Sequence, residues 1–206
     1  MNADGSNLVK ITNAEGRKRN FSLGEWSPKG DVITFQACGR NGNCRVGTMA
    51  PDGSSYKLLT PKRQSAYSPS FNARGGKIAY SFGYSHYDIY VMRSNGKNKK
   101  QVTHSKPGES DITWRPDGKI SFVMLGPDYT QTLWIVNSDG SGEKKLQGGD
   151  NGRPDWRQGD GASVFTKVLD GKLKLVVGDS MTKNYTVIFT PDKPILNPSW
   201  GGLISE

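Results

Sequence analysis

Only two cysteines and two histidines occur in 206 residues. With His86 and His104 alone, and two cysteines without a histidine beside them, a Cys/His metal site is not expected. No G-x-S-x-G elbow and no H-E-x-x-H pair occurs, so the sequence offers no hydrolase or zinc-protease signature. Asp128, Asp160 and Asp170 do not fall into a calcium loop. His86 beside Tyr84 and Tyr87 is the one pairing that could take a proton from a sugar. A solvated loop histidine is the simpler account of it. No catalytic residue, metal or cofactor is therefore expected, and the chain is not read as an enzyme.

Apolar residues are also few, at 33%. No run approaches membrane-spanning length, and no secretory signal opens the chain. No window longer than a few residues combines helical period with good helix formers. An all-β chain is what remains, and 26 glycines supply its turns.

What the sequence has is a repeat. Trp26, Phe71, Trp114, Trp156 and Trp200 follow one another at steps of 45, 43, 42 and 44 residues. Eight or nine residues after each of the first four comes a second aromatic: Phe35, Tyr80, Phe122 and Phe165. A first turn recurs as Pro28-Lys29-Gly30, Ala73-Arg74-Gly75, Pro116-Asp117-Gly118 and Gln158-Gly159-Asp160-Gly161. A second recurs as Asp4-Gly5-Ser6, Asp52-Gly53-Ser54, Asn95-Gly96 and Asp139-Gly140-Ser141, with a worn copy at Gly178-Asp179-Ser180. Proline presets φ in such turns, and glycine takes the position that needs φ > 0. Each unit then holds four short antiparallel strands. One such sheet cannot bury both faces alone, so the units must stack. Period, strand number and turns together predict a β-propeller.

The segments MNADGSNLVKIT, WSPKGDVITF, DIYVMRSNGKNKKQVT and WRPDGKISF resemble the TolB-type propeller repeat. The resemblance covers nearly the whole chain. It implies a fold rather than a task, because the same repeat serves several functions. It also implies a protein partner in the cell envelope and a periplasmic or secreted location.

One domain over residues 1–206 is expected. Its blades run at about 26–60, 71–103, 112–147 and 155–190, and 197–206 joins 1–13 as an incomplete fifth. Residues 14–25 read as a polar link, and Leu8 to Thr12 as an outer strand. Closing the ring with both termini would remove two unpaired sheet edges. TolB-type rings usually have six blades, so a fragment of a larger ring is the rival. Met1 to Ser6 corresponds to the end of a third strand, which agrees with a truncated product whose export signal lies upstream.

The formal net charge is +9. Lys10, Lys57, Lys97, Lys99, Lys100, Lys144 and Lys145 all follow the second turn, where an outer strand is expected. Lysines there blunt a β edge and keep the rim soluble, so nucleic-acid binding is not inferred. Cys38 and Cys44 flank a five-residue loop between neighbouring strands. They are a candidate disulfide, provided the compartment oxidises.

Strand alternation puts both glycine turns at one end of the propeller. The loops between second and third strands, with the links between blades, fall at the other end. Longer, variable loops on a rigid scaffold commonly carry function. The candidate partner-binding residues there are Arg17, Arg19, Arg40, Arg63, Tyr84, His86, Tyr87, Tyr129 and Arg153. Basic groups among tyrosines suit an acidic peptide or a glycan carboxylate. The sequence thus predicts a noncatalytic, monomeric protein-interaction module. A glycan-binding or glycan-processing propeller is the alternative, and no membrane insertion is expected.

Overall fold

The computed structural model describes residues 6–12, 19–104, 108–126, 128–147, 154–157, 160–179 and 184–190. These form four sheets of four antiparallel strands, with no helix among the described residues. Blade one holds β1 (Arg19–Trp26), β2 (Ile33–Gly39), β3 (Cys44–Met49) and β4 (Lys57–Leu58). Blade two holds β5 (Ser65–Phe71), β6 (Lys77–Gly83), β7 (Tyr87–Arg93) and β8 (Lys100–Gln101). Blade three holds β9 (Glu109–Trp114), β10 (Lys119–Leu125), β11 (Gln131–Asn137) and β12 (Lys144–Gln147). Blade four holds β13 (Asp155–Trp156), β14 (Ser163–Leu169), β15 (Lys172–Gly178) and β16 (Tyr185–Phe189).

The core lies between blades, as one-sided sheets require. Ala79, Ile89, Val91 and Val102 of blade two pack with Ile112, Trp114, Ile120, Phe122 and Val136 of blade three. Val46 and Leu59 of blade one pack with Phe71, Ile78, Tyr80 and Met92 of blade two. Burying each large side chain contributes about 1.5–3 kcal/mol.

A second device locks neighbours together. The turn between third and fourth strands carries a glycine with positive φ: Gly53, Gly96 and Gly140. A Cβ on Gly96 would meet Leu59 of blade one at 3.0 Å, and one on Gly140 would meet the Val102 carbonyl of blade two at 2.7 Å. A Cβ on Gly53 would lie 2.0 Å from the Ile11 carbonyl. Ile11 therefore sits on blade one as Leu59 sits on blade two. It also packs against the cluster of Ile33, Phe35, Ala37 and Met49.

Several boundaries differ from the sequence reading. Residues 14–25 are not simply a link, because Arg19–Trp26 is the full inner strand of blade one. Phe21 in it lies 5.6 Å from Phe35 and 6.0 Å from Tyr56. Residues 8–12 form no strand, having no paired neighbour among the described residues. Lys97 and Lys99 sit in the turn, whereas Lys57, Lys100, Lys144 and Lys145 are on outer strands. The expected joint fifth blade falls largely on residues 1–5, 13 and 197–206, which lie outside the described residues.

Candidate functional site

The inner strands β1, β5 and β9 each carry a bulge just before their aromatic end. The register shifts between Leu23 and Trp26 in β1 and between Tyr67 and Ser70 in β5. Ser68 and Asp111 adopt φ of 50° and 51° at matching places in β5 and β9. A bulge twists the strand and re-aims the residues beyond it. Those residues are Glu25-Trp26, Ser70-Phe71 and Thr113-Trp114, and Asp155-Trp156 holds the matching place in β13. They converge at the tight-turn end of the propeller.

There, Ser70 excepted, they line a cavity of about 450 Å³ to which all four described blades contribute. Its wall holds Glu25, Trp26, Phe71, Trp114, Arg115 and Trp156, among others. The volume falls within the range of ligand pockets, roughly 300–1,000 Å³. Trp26 is 57% exposed, although it ends a core-forming strand. Such an aromatic at a concave rim is a ready anchor for a partner.

The polar groups of the wall are held in place by neighbouring blades. Glu25 Oε2 accepts from Ser70 Oγ at 2.9 Å and from the Phe71 N–H at 3.1 Å. Ser70 Oγ in turn accepts from the Trp114 N–H at 3.2 Å. One carboxylate and one buried hydroxyl thus connect blades one, two and three. The Arg115 guanidinium lies 4.1 Å from the Trp156 ring centroid. It also pairs with Asp117 at 3.2 Å. Burial pushes the Asp117 carboxyl up, but hydrogen bonds from Arg115 and Lys119 outweigh it and leave the group below its ordinary range. Arg157 and Asp160 make the matching pair in blade four. Arg157 holds the exposed Asp160 carboxyl at about 2, with the Ala162 N–H assisting.

Of the residues singled out in the sequence, five lie at the opposite end, on loops and links. Arg40, Arg63, Tyr84, His86 and Tyr129 are exposed there, Tyr84 by 77% and Tyr129 by 80%. Tyr129 holds a φ of 61°, unusual for a non-glycine residue. Ser85 Oγ and His86 Nδ1 are 3.1 Å apart. Tyr87 is not a free loop group. It begins β7 and packs edge-on to Tyr67 at 5.3 Å, and its burial raises the phenol pKa. Arg19 belongs to β1. Arg17 and Arg153 lie outside the described residues. Cys38 and Cys44 face each other across β2 and β3 and form a disulfide.

Sequence reasoning passed over the axial cavity, because Trp26, Phe71, Trp114 and Trp156 were read as spacing marks. The available signal was Glu25 and Asp155, acidic residues placed immediately before two of those aromatics.

Four antiparallel four-stranded sheets with their inner strands gathered at one cavity define the blades of a β-propeller. The fold is TolB-like. A TolB-type protein from Agrobacterium tumefaciens superposes with a TM-score of 0.69 at 19% identity, over 80% of this chain and 63% of that one. TolB from Acinetobacter baumannii gives 0.70 at 16%, over 84% and 44%. A puromycin-hydrolyzing peptidase of Mycobacterium tuberculosis gives 0.65 at 12%, over 84% and 30%. The chain thus spans less than two thirds of the length of each. No family profile matches the sequence, and no curated protein does.

Proposed function

We infer that the chain is a noncatalytic protein-interaction module, and that its axial cavity receives a segment of a protein partner. The exposed Trp26 at the rim of a cavity walled by all four described blades carries this reading. The wall is preorganised, since Glu25, Ser70 and Trp114 are fixed across blade boundaries. Preorganised walls lower the entropic cost of binding. The resemblance to TolB-type repeats supports a partner in the cell envelope. The Cys38–Cys44 disulfide supports an oxidising compartment such as the periplasm.

The test is cross-linking of the purified chain in envelope extract, with partners identified by mass spectrometry. Wild type should capture a defined partner, and Trp26→Ala should lose it with an unchanged circular dichroism spectrum. Equal capture by both proteins, or none above background, overturns the reading.

A further inference from the structure

We propose that the groove between blades one and two, beside the axial cavity, binds the carboxylate of an acidic residue in an extended peptide segment. This rests on the reading of the axial cavity as a protein-binding site, and it names the chemistry of what enters there.

The groove encloses about 430 Å³ and is lined by Ser27, Lys29, Asp31, Phe71, Arg74 and Asn95, among others. Phe71 also lines the axial cavity. The cavity and the groove thus share one wall residue.

The charge here departs from the rest of the repeat. In blades three and four the first turn carries an acid, Asp117 or Asp160, which is neutralised by Arg115 or Arg157. In blades one and two the same turn carries Lys29 and Arg74. Neither makes an ion pair among the described residues. The one carboxylate among the lining residues, Asp31, is engaged by Ser27, whose hydroxyl donates to Oδ1 at 2.7 Å. That hydroxyl is held in turn by the N–H groups of Asp31 and Val32, at 3.2 and 3.1 Å.

Two unpaired cations against one occupied carboxylate leave a surplus of a single positive charge. A carboxylate matches it, and the planar guanidinium of Arg74 can bind one through two parallel bonds. The half-buried Val32 beside these cations suits a peptide rather than a bare ion. The surrounding hydroxyl and amide groups of Thr48, Ser94 and Asn95 offer partners for its backbone.

The test is amide NMR of the full chain. It is titrated in separate arms with the blocked tripeptide Ala-Asp-Ala, its Ala-Asn-Ala counterpart, and inorganic phosphate. The aspartyl peptide should shift the amides of Gly75, Gly76 and Asn95 and bind roughly tenfold more tightly than the asparaginyl one, as a lost charge-assisted bond implies. Lys29→Gln and Arg74→Gln should each weaken it, with unchanged circular dichroism. Equal binding of the two peptides, or undiminished shifts in the double variant, overturns the proposal. Tighter binding of phosphate than of the aspartyl peptide at the same amides overturns it too, in favour of an inorganic anion site. The two readings fail separately. A groove that selects aspartate while Trp26→Ala leaves partner capture intact sinks only the axial cavity, and Trp26-dependent capture beside a silent groove sinks only this inference.

Discussion

The indole nitrogen of Trp156 donates to Ser121 Oγ at 2.8 Å, joining the inner strand of blade four to the second strand of blade three. One blade earlier the same relation is broken. Trp114 is only 8% exposed, and its indole nitrogen has no partner among the described residues. The residue in the place of Ser121 is Ala79, which packs in the same cluster as Trp114. Ala79→Ser should restore the missing bond and stabilise the fold by about 1 kcal/mol. That corresponds to a rise of roughly 2–4 °C in Tm for a chain of this size. Ser121→Ala should cost about 1–3 kcal/mol, because it strands a buried donor. A melting temperature that falls in Ala79→Ser would show that the added hydroxyl does not reach the indole.

Tyr80 occupies the place that Phe35, Phe122 and Phe165 hold in the other blades. It is fully buried, and its hydroxyl has no partner among the described residues. Tyr80→Phe should leave stability unchanged or raise it by about 1 kcal/mol at neutral pH. Burial, helped by nearby Tyr90, raises the phenol pKa in the folded state. The sign of the pH effect follows. Below about pH 10 the phenol is neutral whether folded or unfolded, and nothing changes. Above it the unfolded chain loses the proton while the folded chain keeps it. Stability therefore falls as pH rises, by up to about 1.4 kcal/mol per pH unit from this group. Chemical denaturation between pH 9 and 11 should show a shallower decline in Tyr80→Phe. Identical slopes in the two proteins would mean that the Tyr80 phenol titrates alike in the folded and unfolded chain, and that solvent reaches it.

The Cys38–Cys44 bridge closes a short loop, so its effect on the unfolded chain is modest. Removing it in Cys38→Ser/Cys44→Ser should cost about 2 kcal/mol. Reducing the wild type should lower its stability equally, and reducing the variant should change nothing. A variant as stable as the oxidised wild type would make the bridge irrelevant to folding.

Periodicity explains why so much of the fold was legible. The aromatics and glycine turns repeat because each blade solves the same local problem, and local problems leave local patterns. The start of β1 was missed although Asn20-Phe21-Ser22-Leu23 alternates polar and apolar as a half-buried strand should. The charges of Arg17, Lys18 and Arg19 just before it masked that signal. Glu25 was not legible as a cross-blade acceptor, because its partners Ser70 and Phe71 lie 45 and 46 residues away. No spacing rule within one unit points to them. Tyr87 looked like a loop residue because Gly83 and Ser85 precede it, yet its ring packs on Tyr67 from another strand. Contacts between repeats carry the cavity, and these a reading of one repeat at a time leaves out.

The contact of Ile11 with Gly53 can be isolated by comparing two glycines. Gly30 and Gly53 both hold positive φ, 72° and 82°. A Cβ on Gly30 meets nothing within 4 Å, whereas one on Gly53 meets the Ile11 carbonyl at 2.0 Å. Gly30→Ala should thus cost only the left-handed strain, about 1–2 kcal/mol. Gly53→Ala should cost the same strain and also push residues 8–12 off blade one. The excess destabilisation of Gly53→Ala over Gly30→Ala measures how firmly that segment is clasped. Limited proteolysis should cut residues 8–12 faster in Gly53→Ala and at the wild-type rate in Gly30→Ala. Equal costs and equal cleavage in the two variants would mean that Ile11 contributes nothing to holding blade one, and that Leu59 on Gly96 is a contact of a different kind.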